Sequence, residues 1–190
     1  MIIVYAHPNQ LGHNGFILRV IENKLKQTGK NYEVWDLYKM NFNPVMIDEK
    51  INPSSGRSFD QFLGELQNKI VSENDFIFIY PVWWNNVPAI LKGFFDRIFL
   101  SGFAFRYVNK FPRPLLKGKR ALVFTTSGGP AWHSFLLKCS RSTKVTTSDT
   151  LNFCGFKTKS CTFGGCRELN ESFKKLAIKK VEKKLSKFFK

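Results

Sequence analysis

The stretch DFIFIYPVWWNNVPAILKGFFDRIFL, residues 75–100, decides how this chain is read. It begins as an apolar run, DFIFIYP (75–81), of the length and kind that a buried strand needs. It ends as PAILKGFFDRIFL (88–100), an apolar segment with helical spacing, opened by Pro88, which needs no N–H at a helix start. Between them stand two tryptophans and two asparagines. A buried strand ordinarily passes into a helix through small polar residues, so these large and amide-bearing side chains call for another reason.

Working outward, the same alternation of strand and helix recurs. IIVYA (2–6), YEVWDL (32–37), RALVFTT (120–126) and KTKSCTFG (157–164) read as further strands. Residues 14–28 place Phe16, Ile17, Val20, Ile21 and Leu25 on one helical face and stop before Gly29. FDQFLGELQNKIVSE (59–73) is a second helix, and TLNFCGF closes a helix-like stretch at Gly155. The sequence carries no internal repeat and no low-complexity linker, so residues 1–190 are expected to form one domain. Strands separated by helices pair in parallel through crossovers. The expectation is an α/β fold with a five-stranded, doubly wound parallel sheet and helices on both faces. Such sheets bind ligands beyond the carboxyl ends of their strands, which directs attention to residues 6–14, 80–88 and 126–133.

Composition excludes several classes. The 190 residues are 43% hydrophobic and 15% aromatic, with 20 Phe, so the chain has the means to build a core rather than stay disordered. No apolar run approaches the ~18 residues of a membrane span. MIIVYAHPNQ has neither a basic flank nor a long apolar stretch, so a first strand is expected there rather than a secretory leader, and a cytoplasmic location with it. Much of the excess behind the net charge of +16 lies in FKKLAIKKVEKKLSKFFK, where Phe173, Leu176, Ile178, Val181, Leu185 and Phe188 or Phe189 recur at helical spacing. That tail is expected to pack one face on the domain, with a peripheral contact to an anionic surface as the alternative. Charge alone does not make a nucleic-acid partner, and none is expected. Cys139, Cys154, Cys161 and Cys166 form no C-x-x-C pair, and His7, His13 and His133 follow no metal spacing, so no metal site is expected.

The three loops carry the chemistry. AHPNQLGHNG (6–15) lacks both the dinucleotide fingerprint and the P-loop. It nevertheless enters a helix N-terminus, where free N–H groups favour an anion. Asn14 suits an N-cap, and His7 and His13 suit phosphate donors; a simple capping turn fits the loop equally well. TTSGGPAWH offers hydroxyls and paired glycines that let the backbone approach a flat ligand. PVWWNN then reads as an aromatic wall for an extended ring.

DLYKMNFNPVM (36–46), YPVWWNNVPAILKGFFDRIF (80–99), GFAFRY (102–107) and TTSGG (125–129) together resemble the flavodoxin-like NAD(P)H:quinone oxidoreductase family, which includes the flavin-bearing ancillary subunits of potassium efflux systems. The likeness runs over about residues 1–165. It implies FMN, with FAD as the alternative, and NAD(P)H as electron donor. His7, His13 and Asn14 match the positions that hold the flavin phosphate. Pro81, Val82, Trp83, Trp84 and Asn85 match the border of the isoalloxazine, and Thr126, Ser127, Gly128 and Gly129 the segment on its pyrimidine edge. Trp84, Phe105 and Tyr107 match the substrate pocket, completed in family dimers by the neighbouring subunit. The family's assisting Tyr and His are replaced by His133 and Cys139, leaving His133 as the candidate proton donor. The resemblance implies a homodimer that carries two electrons by ping-pong hydride transfer to a quinone or similar aromatic acceptor. The alternative is a flavin-binding regulatory subunit of a membrane transporter.

Overall fold

Burial in the computed structural model is almost unbroken along each central strand, which is what a sheet covered on both faces requires. The structure describes residues 1–46, 61–130 and 141–190. In chain order the elements are β1 (Ile2–Tyr5), α1 (His13–Gln27), β2 (Glu33–Asp36), α2 (Gln61–Ser72), β3 (Asp75–Pro81) and α3 (Ala89–Ile98). A hairpin follows, β4 (Phe105–Val108) and β5 (Phe111–Pro114), and then β6 (Arg120–Thr126). Next come α4 (Arg141–Lys144), running into a π-helical stretch at Val145–Asn152, then β7 (Lys157–Phe163) and α5 (Glu171–Phe188).

Five strands form one sheet in the order β2-β1-β3-β6-β7, every pair parallel. The chain moves outward from β1 to β2 and then returns to the other side of β1 with β3, so the direction of winding reverses between β1 and β3. The register sets Tyr5 beside Ile79 and Asp36, and Pro81 beside Thr126, which itself pairs with Phe163. The carboxyl ends of the strands therefore lie along one edge, and every loop singled out above leaves from it.

The alternating side chains build two cores. Ile2, Val4, Phe76, Phe78, Ala121 and Val123 pack against Leu63, Leu66 and Ile70 of α2 and Leu91, Phe94 and Ile98 of α3. Ile3, Tyr5, Ile77, Ile79, Leu122 and Phe124 face Ile17, Ile21 and Leu25 of α1 and Ala177, Val181 and Leu185 of α5. The expected doubly wound sheet is present, with helices on both faces. Asp75 and Arg120, at the amino ends of β3 and β6, meet through two N–H···O bonds of 2.8 and 2.9 Å.

Two features differ from expectation. The hairpin β4–β5 was not foreseen; it is largely exposed and FPRP holds two prolines, so no buried alternation marks it. In α5 the inward face is Phe173, Ala177, Val181, Leu185 and Phe188, whereas Leu176 and Ile178, expected with them, stand in solvent. The start of the 59–73 helix lies outside the described residues.

Candidate functional site

The first loop is fixed before it reaches the helix. Gln10 Nε2 donates to Asp36 Oδ2 at the end of the neighbouring strand, and Leu11 N donates to Asn9 Oδ1. The same Asp36 accepts from the backbone N–H groups of Tyr38 and Lys39 through Oδ1, and Tyr5 Oη donates to Asn9 O. Burial, then the neighbouring Asp36 carboxylate, push the Tyr5 phenol above the ordinary tyrosine range. Gly15 is required here, because a Cβ would overlap the backbone of Gln10. Neither Asp36 nor Gln10 was singled out from sequence; the signal available was that a carboxylate ends the strand adjoining β1.

Asn14 does not cap α1. The N-cap is Gly12, without a side-chain cap, and the first helical bond runs from Phe16 N to Gly12 O. The N–H groups of His13, Asn14 and Gly15 have no hydrogen-bond partner among the described residues, and no acidic residue stands in the first turn. Asn14 instead turns inward and donates from Nδ2 to Thr126 Oγ1 at 2.8 Å, tying the first loop to the end of β6. His13 packs edge-on to Phe173, with ring centroids 4.5 Å apart, and leaves its Nε2 buried without a partner. Asn14 Oδ1 is also buried and unpartnered. Orphaned buried polar atoms are rare in native proteins and mark places where something further binds. A helix start with unpaired N–H groups suits an anion.

The tryptophan loop is a two-residue reversal. Trp83 and Asn86 exchange backbone bonds of 3.1 and 2.9 Å, and Trp84 and Asn85 between them have φ of 50° and 54°. Left-handed backbone is uncommon for non-glycine residues and costs about 1 kcal/mol or more each. The N–H groups of Trp84 and Asn85 have no partner among the described residues. Val82 N, expected to border a ligand, donates instead to Thr126 O at 2.7 Å and extends the sheet. Trp83 is 41% exposed and tilts toward His7 at 6.0 Å, so the first two loops meet through their rings. Trp84 is fully exposed.

On the third loop Thr126 is buried, its hydroxyl taken by Asn14. Ser127 N and O bond Phe163 O and Cys166 N, and Gly129 O accepts from Gly165 N. The N–H groups of Gly128 and Gly129 stay outside this network. Phe105 is buried against Phe153, at 5.0 Å, so within its own chain it supports the hairpin from beneath; Tyr107, half exposed, is the side chain it offers outward. His133 and Cys139 lie outside the described residues.

The three loops thus gather unpaired donors at three adjacent strand ends: an anion-suited helix start on one side, and two sets of backbone amides beside an exposed indole on the other. That donor set fits a phosphate ester joined to a planar heteroaromatic ring.

The chain is also similar to known proteins. The family model for the flavodoxin-like fold matches residues 1–188. Human ribosyldihydronicotinamide dehydrogenase [quinone] is 33% identical over 178 residues, covering 83% of this chain and 77% of that protein. An uncharacterised NAD(P)H oxidoreductase of Haemophilus influenzae is 36% identical over 138 residues, 67% of this chain and 63% of that one. The NAD(P)H:quinone oxidoreductase structure from Methanothermobacter marburgensis superposes with a TM-score of 0.84 at 26% identity, covering 96% of this chain and 92% of that one. With the donors at the sheet's carboxyl edge and these likenesses over nearly its whole length, the chain belongs to the flavodoxin-like NAD(P)H:quinone oxidoreductase family.

Proposed function

We propose that this protein is a flavin-dependent oxidoreductase that binds FMN, accepts a hydride from NAD(P)H and delivers two electrons to a quinone or similar aromatic acceptor by a ping-pong sequence. The observation that carries the reading is the set of unpaired donors, above all the buried Nε2 of His13 beside free N–H groups at the start of α1. When bound, the flavin supplies reversible two-electron hydride chemistry, and the protein supplies orientation and electrostatics.

Each residue then has a task. His13 and the first N–H groups of α1 hold the phosphate. Asn14 and Thr126 keep the first and third loops at a fixed separation. The amides of Trp84 and Asn85 and those of Gly128 and Gly129 would border the ring, where such donors would stabilise negative charge. Trp83 and the exposed indole of Trp84 offer faces on which a planar acceptor stacks. His133 is assigned as proton donor.

Residues 1–190 act as one flavin-binding domain. The protein works as a homodimer in which the exposed aromatics Tyr107 and Phe111 of the hairpin meet the second copy. A cytoplasmic setting agrees with the free thiols of Cys154, Cys161 and Cys166. The replacement of the assisting pair by His133 and Cys139 favours a second reading, a flavin-binding ancillary subunit of a transporter with little turnover. Steady-state NAD(P)H oxidation with menadione separates the two. Turnover within the usual enzyme range of about 1–10³ s⁻¹ supports the oxidoreductase, and turnover well below it supports the subunit.

A further inference from the structure

The flank of α5 that faces β7 holds a cavity of about 640 Å³ lined by Lys159, Lys180, Lys183, Lys184 and Lys187, with Cys161 among them. No carboxylate lines it. Among the described residues none of these five lysines is in an ion pair, whereas Lys69, Lys92 and Lys174 each are. The lack of acids follows the helical register. Glu182 points to the opposite flank, where it lines the grooves beside α1, and Glu171 is taken by Lys174.

Several of these cations are held in place. Lys184 Nζ donates to Ser160 O at 2.6 Å, Lys159 Nζ reaches Lys187 O at 3.5 Å, and Lys180 Nζ sits 5.4 Å from the centre of the Phe163 ring. Their field reaches the thiol: burial raises the Cys161 pKa, while Lys184 and Lys180 oppose that rise. Fixed like charges converging on one concave space repel one another, and a multivalent anion relieves that repulsion. A single phosphate engages only part of the set. Lysine ammonium groups on long stems suit several phosphates at different depths better than one planar carboxylate, which arginine would grip in bidentate fashion.

We propose that this cavity binds a ligand bearing several phosphate groups, either a free polyphosphorylated compound or the headgroup of a phosphorylated lipid. The site lies against β7 and α5, apart from the loops of the flavin site, and does not depend on that reading.

The test is calorimetric titration of the full-length protein with inositol hexakisphosphate at about 0.15 M salt, where diffuse surface attraction is screened beyond ~8 Å. Two charge-matched variants are compared. One carries Lys180→Gln, Lys183→Gln and Lys187→Gln in the cavity; the other carries Lys110→Gln, Lys175→Gln and Lys179→Gln away from it. The expected result is binding that weakens at least about 10-fold in the cavity variant and by less than about 2-fold in the control, a loss of phosphate contacts at one place. Circular dichroism of both variants shows that each is folded. Vesicles carrying phosphatidylinositol bisphosphate, run beside soluble inositol trisphosphate, separate the sources. Tighter binding to vesicles points to the lipid and equal binding to the free compound, each supporting the site only if the cavity variant loses it. Equal weakening in both variants, or no heat for the wild type, overturns the proposal.

Discussion

At the scale of single residues, Asn14 is the side chain on which the site's shape rests. It is buried and holds Thr126 across the sheet end, so Asn14→Ala removes a buried hydrogen bond and leaves the threonine hydroxyl unpaired. A loss of about 1–3 kcal/mol in unfolding free energy is expected from denaturant titration, with weaker FMN binding alongside it. Trp84 behaves in the opposite way. Its side chain is fully exposed and its backbone is left-handed, so Trp84→Gly forfeits no packing and relieves strain, though it adds chain entropy in the unfolded state. Stability is expected to change by less than about 1 kcal/mol, while the KM for menadione rises. A large loss of stability would show that this indole packs on something. Tyr80 supplies the pH dependence. Its hydroxyl donates to Thr146 Oγ1 at 2.7 Å and is buried, and burial raises its pKa above the ordinary value despite the opposing effect of Thr146. The folded protein keeps this proton where the unfolded chain has lost it. The contribution of Tyr80 to stability is therefore intact below about pH 10 and declines above it. Tyr80→Phe is expected to make the alkaline decline shallower in urea titrations at rising pH, with Tyr5 and the buried thiols of Cys154, Cys161 and Cys166, also raised by burial, contributing to what is left.

At the scale of elements, the start of α1 depends on a close approach that no other residue permits. Gly15→Ala sets a methyl group into the Gln10 backbone, so the loop or the helix must move. The expected cost is about 2–4 kcal/mol, read by thermal unfolding, together with loss of FMN binding. The strands and most helices were legible in sequence because two-sided burial writes itself as unbroken apolar runs, as in DFIFIYP, and one-sided burial as helical spacing. The roles within the loops were harder to read. Val82 N was expected at a ligand and is spent on Thr126, because only the parallel register of β3 and β6 reveals which amides remain free. Asn14 has the composition of a cap, yet the cap falls two residues earlier, at Gly12, and the Asn14 amide turns inward. Leu176 and Ile178 fell on the wrong face of α5 because Ala177, small enough to pass unnoticed, occupies the inward position. The hairpin stayed hidden because exposed strands with prolines carry no period.

At the scale of the whole molecule, the two cores are joined through one sheet, and the site spans loops from both sides of its reversal point between β1 and β3. A ligand that bridges these loops binds only the folded chain. Free FMN at about 100 times its dissociation constant is therefore expected to raise the unfolding free energy by about 2.7 kcal/mol, measurable as a shift in the urea midpoint. The basic flank of α5 lies elsewhere on the surface, so substitutions there are expected to leave that shift unchanged. The most direct test of the central claim is to denature the purified protein and identify any released chromophore by mass, offering FMN and FAD to protein that emerges colourless. The account predicts that FMN is released or taken up. Protein that yields no flavin and takes up neither FMN nor FAD contradicts it.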